Sequence, residues 1–331
     1  MGIRQPDCVG ALIRNGQNRV YLQRRSLLRR QLPGAWDIVG GHIEAHETPE
    51  SALAREVSEE TGWRLRRVET VIADWEWTHN GHVQRELDYL IEVNGDLGSP
   101  RLEAGKHDQF CWVGYDNPEA VRSKYDAGND VLWNIIRRAA RIRLTSDVRL
   151  EPISSSSADV LCWLYKNGAA TLDNRLVGEN EMPLIAADLG RQWDTGRGYS
   201  WLAYWRKGKH PAIGYGELVR KATRGAGQFV LHCAVLPDER RLDCAEAIVK
   251  AMLAFARNEV GADQVSAHVA PPNRWAMEIM RRAGMRYSGA VESGGRHVHA
   301  FSINLRDAPP SAISQAVVTT GIGQILAVPG G

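Results

Sequence analysis

Nowhere in the 331 residues is there an uninterrupted apolar run of the roughly 18–20 residues that a membrane-spanning helix requires. No membrane partner is therefore expected. Cysteine is scarce, and Cys8, Cys111, Cys162, Cys233 and Cys244 are scattered without a CxxC pair. That argues against a disulfide framework or a cysteine zinc site and fits a reducing compartment. An excess of one charge is also missing: 41 Lys+Arg stand against 39 Asp+Glu, a formal net charge of +2. This falls short of the basic footprint of a nucleic-acid-binding domain, so no specific nucleic acid is expected as partner. The opening Met1-Gly2-Ile3-Arg4-Gln5-Pro6 lacks the apolar stretch of a secretory signal and has Pro6 where myristoylation wants Ser or Thr. The expected location is the cytoplasm.

What is present describes an ordered globular chain, with 44% hydrophobic and 24% charged residues. Its length exceeds one ordinary core and suits two. Two textures follow each other, divided near residue 145. In the first, strand-like segments at 8–13 and 19–22 precede a helix near 49–61, strands near 67–77, 85–93 and 109–113, and a helical stretch over 118–143. Arg137, Arg138, Arg141 and Arg143 at its end read as a solvated basic face. In the second, strands are expected at 148–150, 199–205, 212–220, 228–236, 264–269, 285–291 and 297–305, with helices at 242–260 and 273–283. The Ser154–Ser157 run reads as a loop or a helix start. This gives domains at 1–145 and 146–306, and a Pro-, Gly- and Ser-rich tail over 307–331 without sustained periodicity.

The densest signal lies between Gly41 and Trp63. Thr48 then Pro49 is a helix start, a hydroxyl cap followed by a residue whose missing N–H costs nothing there. Glu56 and Glu60 are four apart, and Glu59 is three after Glu56, so about one turn gathers three carboxylates. Leu53 and Val57 are left for the core, and Gly62 ends the helix. Clustered anions repel one another, and a hard divalent cation with a preference for oxygen ligands removes that cost. A solvated acidic helix face is the bland alternative.

The complete spacing decides between them. Gly41, five residues, Glu47, seven residues, then Arg55-Glu56-Val57-Ser58-Glu59-Glu60-Thr61-Gly62-Trp63 resembles the Nudix box at every defined position. The resemblance implies an α+β fold of α-β-α layers, a mixed sheet sandwiched by helices. It also implies cleavage of a diphosphate in a nucleoside diphosphate linked to another moiety, with Mg²⁺ or Mn²⁺. Carried onto this sequence, Glu56 and Glu60 are the principal metal ligands, joined by the Gly41 carbonyl, while Glu59 is a ligand or a close partner of one. Arg55 and Glu47 form the ion pair that orients loop and helix. The lead-in Gly34-Ala35-Trp36-Asp37-Ile38-Val39-Gly40-Gly41 fits too, departing at Val39, where proline is usual. Glu44 is a further outer ligand candidate. In the loop before Trp112, Glu103 and Asp108 are both candidates for the general base, and the sequence does not choose; His107 reads as a loop histidine. Arg24 and Arg25 are candidates for phosphate contact, and Trp77 for stacking on a base, with Trp75, His79 and His82 nearby on the same hairpin.

The second texture resembles the GNAT acetyltransferases over roughly 147–305. The strand Phe229–Pro237 is followed by a long helix, then by Asn273-Arg274-Trp275-Ala276 and Gly284-Met285, which is similar to that family's Asn-x-x-Ala…Gly-Phe signature. The resemblance implies a GNAT-like α/β domain and acetyl-CoA as cofactor, with Arg240, Arg241, Ala245 and Asn273 as candidate contacts. The pyrophosphate loop departs from the pattern. Asp243 stands where a glycine is usual, placing a negative charge at backbone N–H groups that should meet a diphosphate. Met280 stands where many members have a tyrosine acid.

Three readings follow. The first is a Nudix pyrophosphohydrolase with a nucleotide-linked small molecule as substrate. The second is an N-acetyltransferase with an accessory Nudix domain. The third is a nucleotide-sensing regulator without catalysis. Homo-oligomerisation is left open.

Overall fold

Six consecutive buried residues, Cys8–Ile13, form strand β1, and a polar turn at Asn15–Asn18 sends the chain back as β2, Val20–Arg25. The structure, a computed structural model, describes residues 4–79, 81–116, 130–169, 178–206, 211–222, 227–237 and 242–307. The tail beyond 307 and the pair Arg240–Arg241 lie outside the described residues, as does 118–129 of the expected helical stretch. The chain divides into two compact units, 1–142 and 143–331.

In the first unit β1 lies between β4 (Val39–His42), antiparallel, and β6 (His82–Asn94), parallel; β5 (Arg64–His79) pairs with β6 to complete a four-stranded mixed sheet. A second sheet has β2 at its centre, with β3 (Trp36–Asp37) and β7 (His107–Val113) on either side. Helix α1, Pro49–Thr61, forms as its sequence dictates. Thr48 and Ser51 exchange a reciprocal cap, Pro49 opens the first turn, and Gly62 closes the helix at φ 72°. Ala52, Leu53 and Val57 have no exposed surface and pack with Val9, Ala11, Val39, Tyr89 and Ile91. Burying three such side chains is worth roughly 1.5–3 kcal/mol for each large one, and it pins the opposite, acidic face in place. Helix α2 spans Val131–Arg141.

The second unit is an eight-stranded sheet built from β8 (Arg143–Leu144), β9 (Val148–Pro152), β10 (Gly198–Trp205), β11 (Gly214–Arg220), β12 (Gln228–Val235), β13 (Gln264–Val269), β14 (Arg286–Ser293) and β15 (Arg296–Asn304). Its order is β14-β15-β13-β12-β11-β10-β9-β8, and only the β12/β13 pair is parallel. Helix α5, Leu242–Asn258, packs Ile248 and Met252 onto Gly216 of β11, where a side chain would collide with them. Helix α6 is Arg274–Arg282.

The Ser154–Ser157 run, read as a loop or a helix start, leads into α3 (Ala158–Lys166), whereas α4 (Met182–Thr195) was not expected. Trp193 of α4 meets Trp201 and Phe255 at ring-centroid distances of 5.1 and 5.4 Å, the aromatic centre of this core. Arg143 departs from the solvated basic face assigned to it. It opens β8 at 4% exposure, with its guanidinium 4.6 Å from the Phe255 ring centroid and 2.5 Å from Glu259. An aromatic face and a carboxylate together recover what burial of the cation costs. No helix among the described residues is long and apolar enough to cross a membrane.

Candidate functional site

Three chain segments meet on the acidic face of α1. Glu56 and Glu60 are only 7% and 6% exposed, while the side chain of Glu59, on the same turn, is 48% exposed. The strand β4 lies against them. A side chain at Gly41 would overlap the Glu56 carboxylate, so glycine is what allows backbone and carboxylate to touch. The Gly40 N–H donates to Glu60 Oε2 at 3.2 Å, and Gln23 Nε2, from β2, donates to the same oxygen at 2.5 Å.

Arg55 is the organiser of this face. Its Nε and Nη2 take both oxygens of Glu47, at 2.9 and 3.0 Å, and Nη2 also donates to the His42 carbonyl at 3.0 Å. Its Nη1 donates to Glu56 at 2.8 Å and lies 3.4 Å from Glu59. Glu47 in turn accepts from the Glu44 N–H, so the loop after β4 is tied to the helix through one guanidinium. Glu44 enters this arrangement through its backbone.

The electrostatics are unbalanced. Burial pushes Glu60 up to about 8, and the Glu56 and Asp37 charges push the same way against the hydrogen bonds from Gln23 and Gly40. A hard divalent cation reverses that balance. Among the described residues no three His, Cys, Asp or Glu side chains converge as a ready metal centre. The side-chain donors are therefore two buried carboxylates, beside a glycine backbone that closes on one of them. That set fits Mg²⁺, which keeps several waters and binds through one or two carboxylates plus substrate phosphates.

The loop before β7 adds cations and a base candidate. Lys106 Nζ is 2.8 Å from Glu103 Oε1, and its pKa is raised first by that carboxylate and then by Glu60 and Glu56. Glu103 Oε2 is buried without a hydrogen-bond partner among the described residues. Asp108 is turned away, held by Arg24 at 2.8 Å, and that hydrogen bond keeps its carboxyl below the usual range. Arg25 reaches Asp37 at 3.4 Å and the Gln31 carbonyl at 3.2 Å. Arg24 and Arg25 thus both carry protein partners. His107 is buried, its Nδ1 4.0 Å from Glu60 Oε1. Burial, then the Arg25 and Arg29 charges, pushes it down to about 4.

Trp77 is half-buried on β5 beside the Glu86 carboxyl, whereas Trp75 Nε1 donates to Asp88 Oδ2 at 2.7 Å. These acids lie on the sheet face away from α1, where Gly10 leaves the room that Asp88 fills. An open cleft of about 450 Å³ lies at the other end of α1, lined by Gly62, Trp63, Arg64 and Arg101 among others. There the Arg101 N–H donates to the Thr61 carbonyl, capping the helix end.

Sequence reasoning did not single out Gln23 or Lys106. The available signal for Gln23 was a lone amide inside the otherwise apolar, fully buried Val20-Tyr21-Leu22-Gln23.

In the second unit β12 and β13 pair from Gln228↔Gln264 to Leu231↔Ala267 and then part, although β12 runs on to Val235 and β13 to Val269. The opening lies at the carboxyl ends of parallel strands, just before α5. Asp243 does not fold over the start of α5. Its side chain is 93% exposed and faces Arg282 of α6 at 3.8 Å. Ala245 is buried, and Asn273 caps α6 by accepting from the Ala276 N–H at 3.0 Å.

Comparison with known proteins resolves the two units separately. Residues 4–132 match the NUDIX domain family, and residues 147–286 match the Acetyltransferase (GNAT) domain family. An RNA pyrophosphohydrolase of Methylococcus capsulatus is 26% identical over 127 residues, covering 33% of this chain and 64% of that protein, under two thirds of its length. The nucleoside triphosphatase NudI of Klebsiella pneumoniae is 31% identical over 120 residues, 34% of this chain and 83% of that one. Among solved structures, Mycobacterium smegmatis RimJ in complex with CoA-disulfide is 19% identical with a TM-score of 0.40, covering 53% of this chain and 90% of that chain.

Proposed function

This chain belongs to the NUDIX family through residues 4–132 and carries a GNAT acetyltransferase domain at 147–286, and on that premise we propose that its first unit hydrolyses the diphosphate of a nucleotide-linked small molecule. The observation that carries the reading is the pair of buried carboxylates, Glu56 and Glu60, held by Arg55, Gln23 and Gly40 with one face of α1 left acidic. A divalent cation on those carboxylates supplies neutralisation of the phosphates and a more acidic water. The remaining work falls to the chain itself.

Glu103 is the base: it takes the proton of the attacking water as the new O–P bond forms and the anhydride P–O bond breaks. Its buried, unpartnered oxygen favours it over Asp108, which Arg24 occupies. Lys106, whose Nζ is 2.8 Å from Glu103 Oε1, is our candidate for meeting substrate phosphate. Arg55 keeps Glu47, Glu56 and the His42 carbonyl in register, so that the loop cannot drift during turnover.

The relatives named as an RNA pyrophosphohydrolase and a nucleoside triphosphatase make RNA and nucleoside triphosphates the first classes to try. The experiment is a product-release assay with Mg²⁺ on triphosphorylated RNA, NTPs, ADP-ribose, dinucleotides, nucleotide sugars and CoA. Wild type is compared with Glu60→Gln. Turnover of one class that disappears in the variant is the expected result; equal turnover in both would defeat the site assignment.

A second reading concerns the other unit. The parting of β12 from β13 supports a cleft for a CoA-type cofactor, and Arg282, 3.8 Å from the exposed Asp243 carboxylate, offsets part of the charge that stands at the start of α5. Titration calorimetry with acetyl-CoA on the full chain tests it, absence of heat at millimolar ligand being the adverse outcome.

A further inference from the structure

We propose that Gln23 is the positioning residue of Glu60, with His107 closing the same pocket: the amide fixes which carboxylate oxygen stays with the protein and which is left for a cation. The inference rests on the reading of Glu60 as a cation ligand. Both hydrogen bonds to Glu60 go to one oxygen, Oε2, from Gln23 at 2.5 Å and from the Gly40 N–H at 3.2 Å. Oε1 accepts none; its nearest polar neighbour is His107 Nδ1 at 4.0 Å, beyond hydrogen-bond length. The two oxygens of one carboxylate are thus made unequal by residues of three strands, β2, β4 and β7.

Each of these two residues carries a cost that packing alone does not explain. Gln23 is fully buried and its Oε1 has no hydrogen-bond partner among the described residues; His107 Nδ1 is in the same state. A buried polar atom left unbonded costs about 1–3 kcal/mol. Leucine at position 23 would remove that cost and continue the apolar run of β2. With Glu60 ionised, as cation binding requires, the amide must face it with its NH₂, because a carboxylate then offers only acceptors. Gln is also the side chain that orients without competing. Lys or Arg at 23 would bring a charge of its own to Glu60 and oppose a divalent ion there, whereas an amide holds the carboxylate and leaves its charge unspent.

The test is Mn²⁺ binding to the full chain, read from the EPR signal of free Mn²⁺, alongside the melting temperature without metal. The proteins are wild type, Glu60→Gln, Gln23→Leu, Gln23→Met and His107→Phe. Loss of a residue that orients a metal ligand typically weakens the metal ten- to a hundredfold. Gln23→Leu and Gln23→Met are expected to show such a loss while melting no lower than wild type, and His107→Phe a smaller one. Affinity unchanged in both Gln23 variants, with Glu60→Gln impaired, overturns the positioning role. A lower melting temperature with affinity intact in the folded protein marks Gln23 as merely structural and overturns it too. If Glu60→Gln binds Mn²⁺ as wild type does, the reading of Glu60 itself is what has failed.

Discussion

Two buried acidic sites lie in the first unit, and they resolve the same electrostatic problem in opposite ways. At Glu60, burial and like charge raise the pKa, yet two hydrogen bonds hold one oxygen and the other is left without a donor. At Glu86 and Asp88, burial again raises both carboxyls, each aggravated by Asp37, but here two carboxyls adjoin each other, and Asp88 takes the Trp75 indole N–H on Oδ2. A buried carboxyl pair that retains a proton between its members is already part-neutralised. A carboxylate held on one side by a neutral amide is not, and calls for a cation. Burial of acid is therefore no mark of a metal site; the donor set around it is.

The sharpest way to break this comparison is to remove one charge from each site. Glu60→Gln is expected to reduce hydrolysis by about three orders of magnitude or more, since metal binding and phosphate neutralisation go together, whereas Glu86→Gln leaves Mn²⁺ affinity unchanged. Steady-state rates with the substrate found in the panel, beside Mn²⁺ titrations, check both arms. Equal losses would mean that the two acid clusters form one functional unit.

Next in size is the choice between bases. Glu103→Gln is expected to lower kcat by about 10²- to 10⁴-fold with KM little changed, and Asp108→Asn by less than about threefold. A larger effect at Asp108 would transfer the base to the residue that Arg24 holds.

A smaller effect, in the tens, is expected of Gly41→Ala. The added methyl overlaps the Glu56 carboxylate, so backbone or carboxylate must shift by about 1 Å to restore ordinary contact. Weakened Mn²⁺ binding with near-normal melting is the predicted signature, and calorimetry with the metal alone is enough to see it.

How much of this was legible follows from how far apart the parts lie in the chain. Gly41, Glu47, Arg55, Glu56 and Glu60 fall within twenty residues, so helical spacing and capping residues exposed them together. The Thr48–Pro49 start and the Gly62 end agree with the helix Pro49–Thr61. Gln23 and His107 reach Glu60 only through the β2–β7 pairing and the packing of two sheets, which no local period encodes. Helix α4 was missed for another reason. Met182, Ala186, Leu189 and Trp193 do recur at helical intervals, but Pro183 and Gly190, both poor helix formers, fall within that period. Pro183 in fact sits in the first turn, where it is tolerated. Gly190 packs beside the Ile153 carbonyl and the Ser154 Cα within the helix, where it costs only its own low helix propensity.

The last prediction concerns stability and gives the comparison a sign. Glu86 has a folded-state pKa raised above its unfolded value, first by burial and then by Asp88 and Asp37. The native state therefore holds a proton that the unfolded chain has released. Its stabilising contribution is complete below the unfolded pKa, near 4.3, and is lost as pH rises through the folded value. Glu86→Gln keeps the hydrogen-bonding shape and cannot ionise, so its advantage over wild type should be absent near pH 4 and grow towards alkaline pH, reaching about 2 kcal/mol. Urea melts at pH 5 and pH 8 measure it. Divalent cation should leave the Glu86→Gln increment unchanged while it steadies wild type against the same alkaline loss at Glu60, because only there does an ion replace the proton. An increment that vanished on adding Mn²⁺ would show that the cation reaches Glu86 as well, and the division between the two sites would fall.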